Sequence, residues 1–252
     1  MGDDLDSLGD AYADWRASTL GRITDALEQG LVLDLIGPPD GRRILDVGCG
    51  DGVLATMLAR RGAQVFGVDA SPRMIAAARR RGRVEGANAR FAVARAERLP
   101  FASECFDSVV AVTVLCFIAD PAAALAEMAR VLKPGGRLIL GELNSRSTWA
   151  AVRRIKGWLG SPVWRAAHFR SPGELRRLAI AAGLSDVAVR GAIFYPPKGA
   201  AARLLAPTDR LLGRVTTLGA AFLALSAEKS AQGGGATGDD GPAGQKFRRV
   251  SR

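Results

Sequence analysis

Apolar residues fall in two alternating periods up to about Lys229. Ile23, Leu27, Leu31 and Leu35 recur at steps of four, the spacing of one helix face, and the helical reading covers 5–36 as an N-terminal cap. The breaker cluster Gly37-Pro38-Pro39-Asp40-Gly41 ends it. Next, Arg43-Ile44-Leu45-Asp46-Val47 runs into glycines, which suits a buried parallel strand. Helical segments are predicted at 53–61, 72–81, 121–132 and 172–182, the second with Ser71 as its N-cap. Strands are predicted at 64–68, 91–94, 108–114, 137–141, 187–194 and 220–227. Strands alternating with helices imply right-handed βαβ units and a mostly parallel sheet, an α/β fold.

The chain has 252 residues, 48% of them hydrophobic and 24% charged, enough for one sizeable domain. That domain is expected over 1–229, and the Gly-rich polar stretch 230–252 is expected to be a disordered tail. No apolar run is long enough to span a bilayer. The opening MGDDLDSLGD lacks an apolar core, so no secretory signal is expected, and Gly2 lacks the myristoylation pattern. Cys49, Cys105 and Cys116 show no metal-ligand spacing and are odd in number. No metal site is expected, and a reducing cytoplasm fits. The net charge of +10 is regional: 1–142 carry 17 basic and 19 acidic groups, 143–227 carry 13 and 3, and the remainder 5 and 3. Any statement about partners concerns the middle segment.

Gly48-Cys49-Gly50-Asp51-Gly52 places three glycines at alternate positions between a strand and a helix. Such a loop lets backbone approach a ligand and exposes the helix's free N–H groups. A dinucleotide fingerprint needs its third glycine at 53, where Val53 stands. Asp46, just ahead of the loop, suits a cationic amino group better than a pyrophosphate. Asp69, closing the second strand, can accept ribose hydroxyls.

ILDVGCGDG resembles motif I of class I S-adenosylmethionine-dependent methyltransferases, and FGVDASPRMI resembles the segment that follows it. AERLPF, FDSVVAVTVLCFIADP and LAEMARVLKPGGRLIL are similar to the rest of the group containing the ubiquinone and menaquinone biosynthesis methyltransferases. The likeness runs from about Tyr12 to Gly141. It implies a Rossmann-like, doubly wound, seven-stranded sheet, mostly parallel with an antiparallel last strand, and S-adenosylmethionine as cofactor. It further implies that Gly48, Cys49, Gly50 and Gly52 hold the methionine end, with Asp46 near the ammonium. Asp69 and Ala70 would hold the ribose, Met74 would pack on adenine, Ala96 and Glu97 would line its edge, and Thr113 would sit beside the methionine moiety. Tyr12 resembles a tyrosine that closes over the cofactor. Two positions depart from the pattern: Arg95 stands where relatives often have Asp, and Cys116-Phe117 where they often carry histidines.

The acceptor side is expected in 142–172, which contains Trp149, Trp158 and Trp164 and, between Glu142 and Glu174, no acid. A helical wheel groups Ala151, Val152, Ile155, Trp158 and Leu159 on one face and Arg153, Arg154 and Lys156 on the other. This pattern suits a lid over an apolar or anionic small-molecule acceptor, a peripheral membrane contact through 147–170, or a helix packed on the domain. His168, the sole histidine, and Tyr195, before Pro196-Pro197, are the candidate catalytic residues. Nucleic-acid methylation and a non-catalytic cofactor-binding protein are the competing readings. No Asn-Pro-Pro-Tyr or Asp-Pro-Pro-Tyr site for a flipped base is present, and the intact glycine loop speaks for catalysis.

Overall fold

A computed structural model describes residues 15–231. Tyr12, the first part of the N-terminal cap and nearly all of the expected tail lie outside the described residues. The elements, in order, are α1 (Thr19–Ile36), β1 (Arg43–Val47), α2 (Val53–Ala59), β2 (Gln64–Asp69), α3 (Pro72–Val84), β3 (Ala89–Val93), β4 (Phe106–Val112), α4 (Pro121–Val131), β5 (Leu132–Leu143), α5 (Thr148–Trp158), α6 (Pro162–Ala166), α7 (Pro172–Ala181), β6 (Leu184–Ala192), α8 (Gly199–Val215) and β7 (Phe222–Lys229).

The seven strands form one sheet in the order β3-β2-β1-β4-β5-β7-β6. β1 pairs in parallel with β2 and β4, β2 with β3, and β4 with β5. Only β7 runs against its neighbours, β5 and β6. The chain order reverses at β1 and β4, so their carboxyl ends flank the crevice where such sheets bind ligands. Both faces are covered, which is why the strands read as near-continuous apolar runs. On one face Leu45, Val109, Leu138, Leu140 and Leu225 pack with Leu125, Met128 and Leu175 of α4 and α7. On the other, Ile44, Val65, Val110, Ile139 and Phe222 pack with residues of α1, α2, α3 and α8.

The predicted strands all form, β1 with the expected bounds and the others with shifted ends. β6 stops at Ala192 rather than 194 because Ile193 has φ +66°, and the Asp209 carboxylate accepts from the backbone N–H groups of Ile193 and Phe194 at 2.9 and 2.8 Å. α8 is missing from the sequence-based reading. Pro207 sits inside it, and an interior proline reads as a breaker; the helix is held instead by packing along α1 and β6.

The wheel drawn for 148–159 is overturned. The side chains α5 turns inward are Trp149, Ala150 and, partly, Arg153, while Val152, Ile155, Trp158 and Leu159 are exposed. α6 folds back over Gly157, where a Cβ would stand 3.1 Å from the backbone of Trp164. That contact claims a face the wheel did not mark.

Candidate active site

The glycine loop is tied down by its own backbone. The N–H groups of Gly48 and Cys49 both donate to the Val68 carbonyl, at 2.7 and 2.9 Å. Gly48 and Gly52 are glycines for steric reasons: an added Cβ would stand 2.3 Å from Val114 Cγ2 at the first and 2.9 Å from Ala78 Cβ at the second. At Gly50, with φ +53°, a Cβ would meet nothing within 4 Å, so this turn faces open space. The loop is thus packed against protein at its ends and open in its middle.

Two carboxylates frame that opening. Asp69 accepts from Gly50 N–H at 3.0 Å on one oxygen and from Ser71 N–H at 2.8 Å on the other, locking the loop to the end of β2. Asp46 is buried; the Ala55 backbone, in the first turn of α2, hydrogen-bonds to it. Its Oδ2 has no hydrogen-bond partner among the described residues. Burial, and secondarily the charge of Asp69, push the Asp46 carboxyl up to about 7. A buried acceptor without a donor is costly, and an ammonium group placed there would satisfy it. Ala70 is exposed beside Asp69, and half-buried Met74 donates its N–H to Ser71 Oγ in the first turn of α3. Ala96 is buried, and Glu97 is ion-paired with Arg95 at 2.8 Å. Arg95 therefore occupies Glu97 instead of presenting a carboxylate of its own.

Thr113 closes β4 with φ +56°, its N–H donating to Gly141 O at 2.6 Å. Beyond it the chain turns through 115–117 under a clamp that sequence reasoning missed. Glu142 is fully buried and accepts from Leu115 N–H at 2.9 Å; burial raises its carboxyl to about 7. Arg170, also buried, donates to Leu115 O at 2.8 Å. Ser145 N–H donates to Arg170 O, and Arg170 N–H to Leu143 O, pinning both ends of the excursion between β5 and α7. The acid in ILGEL at a strand end was the available signal for Glu142; nothing local marks Arg170. Asp51 was also missed: it pairs with Arg16 at 2.9 Å and Arg81 at 2.8 Å, drawing the segment before α1 and α3 onto the glycine loop.

The candidate catalytic residues separate. His168 N–H donates to Cys116 O at 2.8 Å, and its side chain is exposed. The only imidazole thus hangs beside the Cys116-Phe117 turn. Tyr195 is a buried core residue, not a pocket wall: its hydroxyl is 3.1 Å from Thr24 Oγ1, and its carbonyl accepts from Trp149 Nε1 at 2.7 Å. It joins α1 to α5. Beside this joint the Arg153 guanidinium lies 5.1 Å from the Trp149 ring and 4.9 Å from the Trp164 ring. Buried Glu28 of α1 feels its charge, although burial dominates and raises that carboxyl to about 8. No cluster that could hold a metal ion occurs among the described residues.

Residues 45–140 match a family model described as a methyltransferase domain. The chain is 35% identical over 165 residues to a ubiquinone biosynthesis O-methyltransferase of Idiomarina loihiensis, covering 63% of this chain and 68% of that protein. It is 38% identical over 178 residues to one of Dinoroseobacter shibae, covering 68% and 71%. Among solved structures, an S-adenosylmethionine-dependent methyltransferase of Thermotoga maritima, described as a possible histamine N-methyltransferase, superposes with a TM-score of 0.72 at 26% identity. That likeness covers 91% of this chain and all of that one. The strand order, the unsatisfied acid beneath the glycine loop and these relatives agree: the chain belongs to the S-adenosylmethionine-dependent methyltransferases, in the group that includes the ubiquinone biosynthesis O-methyltransferases.

Proposed function

We propose that the crevice over β1, β2 and β4 holds S-adenosylmethionine through named residues, and that the acceptor is a small apolar or anionic molecule bound beneath 143–170. When bound, the cofactor supplies an electrophilic methyl group. Asp46 Oδ2 would accept from its ammonium, and the open backbone at Gly50 would admit its methionine end. Asp69, with Ala70 beside it, retains lone pairs for the ribose hydroxyls, and Met74, Ala96 and Glu97 would border the adenine. Thr113 and the turn held by Glu142 and Arg170 would set the boundary between cofactor and acceptor. Aligning the acceptor with the methyl group is the main catalytic task of the chain, a contribution of about 7 kcal/mol or more in favourable cases.

The observation that carries the acceptor reading is half-buried Trp164 under the Arg153 guanidinium, in a segment without acids; Trp149, also against Arg153, belongs to the core. Aromatic faces suit an apolar body, and an uninterrupted set of cations suits an anionic group. The relatives' name, ubiquinone biosynthesis O-methyltransferase, fits an apolar acceptor carrying a hydroxyl. His168, exposed beside the Cys116-Phe117 turn, would then serve as base, a catalytic role Tyr195 is too buried to share. The outward apolar side chains of α5, with Arg154 and Lys156 among them, support a peripheral membrane contact through 147–170 in a cytoplasmic setting; among the described residues no helix is long and apolar enough to cross a membrane. Comparing metabolites of cells with and without the gene, for masses differing by one methyl group, identifies the acceptor. Accumulation of a strongly cationic unmethylated precursor would contradict the reading.

A further inference from the structure

Exposed apolar side chains on a folded protein are ordinary when scattered and informative when they align. Of the large apolar residues exposed among the described residues, six fall on α8 and the turn after it. Leu204, Leu211, Val215 and Leu218 are 78%, 68%, 81% and 78% exposed. Through α8 they follow i, i+7 and i+11, one row along the helix, with Leu205 and Leu212 on one flank. Thr208 lies in the same row, and its hydroxyl is spent on the Leu205 carbonyl at 2.9 Å. Arg203, Arg210 and Arg214 precede Leu204, Leu211 and Val215 by one residue each and form a parallel row, all exposed.

The opposite side of α8 is built to lie flat on the domain. Ala202, Asp209 and Gly213 are its buried positions, and at Gly213 a Cβ would collide with the Gly191 carbonyl at 2.1 Å. The only acid of the helix, Asp209, is turned inward onto the Ile193 and Phe194 amides. Across from the arginine row, Asp34 of α1 comes within 4.0 Å of Arg210. The outward surface of α8 itself holds leucines and arginines and no carboxylate.

We propose that α8 docks the protein on an anionic lipid surface, the leucine row entering the boundary between headgroups and acyl chains and the arginine row meeting lipid phosphates. An apolar row beside a cationic row on a helix whose outward surface holds no carboxylate, Asp34 of α1 being the one acid among the described residues within 4.0 Å of the arginines, is the pattern of a helix lying in a bilayer interface. A second copy of the chain fits the same surface less well. Antiparallel pairing of two α8 helices opposes one arginine row to the other, and parallel pairing sets arginines against Leu205 and Leu212, with no carboxylate in either case. This docking is independent of the acceptor reading and uses residues outside the crevice.

The test is sedimentation of the full chain with vesicles of phosphatidylcholine alone and of phosphatidylcholine mixed with phosphatidylglycerol. Binding is expected to the mixed vesicles only and to be released by salt. Leu204→Ser with Leu211→Ser and Val215→Ser should lower partitioning about tenfold or more, and Arg203→Gln with Arg210→Gln and Arg214→Gln should weaken it as well. Melting temperature and S-adenosylmethionine affinity should be unchanged in both variants, showing that the fold is intact. Wild-type protein that ignores the mixed vesicles, or binds them as tightly after the serine substitutions, overturns the proposal. So does a dimer in solution that the serine variant dissociates, which would make this face an interface between copies.

Discussion

The two halves of the sheet's carboxyl edge solve different problems. Over β1, β2 and β4, the proposed cofactor site is built from backbone: glycines fitted against Val114 and Ala78, amides ordered by Asp69, and one buried carboxylate oxygen, Asp46 Oδ2, left without a donor. Over β5 and the segment after it, the fold is held by long side chains: Arg153 against two tryptophans and Arg170 on the Leu115 carbonyl, with apolar residues turned outward. A shared cofactor demands a fixed cradle of local spacing. The acceptor proposed above would be met by side chains whose partners lie far away in sequence.

That contrast decides what could be read in advance. The glycine loop, Asp46 and Asp69 are close together in the chain, and their chemistry follows from spacing; the mostly parallel α/β sheet follows from alternation, and its antiparallel last strand from the family resemblance. The acceptor side resisted because its pairings are long-range. Arg170 meets Leu115 and Glu28 faces Arg153 across the fold. A wheel drawn for α5 could not know that α6 would cover Gly157 and leave Trp158 outside, and Pro207 disguised α8. Tyr195, before Pro196-Pro197, reads from the sequence as a candidate catalytic residue; its hydroxyl and carbonyl are already committed to Thr24 and Trp149.

The sharpest test of the side-chain half is Trp149→Ala. Trp149 is buried, packs edge-on against Tyr195 and donates to its carbonyl, so its loss should destabilise the fold by about 3–5 kcal/mol, read by denaturant unfolding. A melting temperature close to wild type would show that α5 contributes little to the core.

In the backbone half, Asp46→Asn should cost about 3 kcal/mol of S-adenosylmethionine affinity, because it removes the charge meant for the ammonium. The sign with pH follows from the raised carboxyl. The ionised form binds, so affinity should rise as pH increases toward about 7 and level off above it. The same raised value makes the empty protein bind more protons folded than unfolded, so Asp46 destabilises it progressively as pH rises from the ordinary carboxylate range to about 7. The Asn variant should lack that part of the dependence in melting curves.

Asp69→Ala should weaken the cofactor by roughly 1.5–3 kcal/mol, since it removes a charged acceptor and frees the Gly50 and Ser71 amides. Unchanged affinity with a collapsed melting temperature would make Asp69 purely structural. The smallest effect is expected at Trp158, 85% exposed at the end of α5. Trp158→Ala should alter stability by no more than about 0.5 kcal/mol and leave cofactor affinity untouched. Of the two tryptophans farther along the segment, only Trp164, against Arg153 and Phe169, should matter for acceptor turnover.

The central claim is that the unsatisfied Asp46 carboxylate receives the cofactor's ammonium. Calorimetric titration of S-adenosylmethionine at pH 6.5, in two buffers of different ionisation enthalpy, tests it most directly. The expected result is binding with release of most of one proton in the wild-type protein and none from this site in Asp46→Asn, whose affinity is lower. Equal affinity and equal proton release in the two proteins would contradict the account.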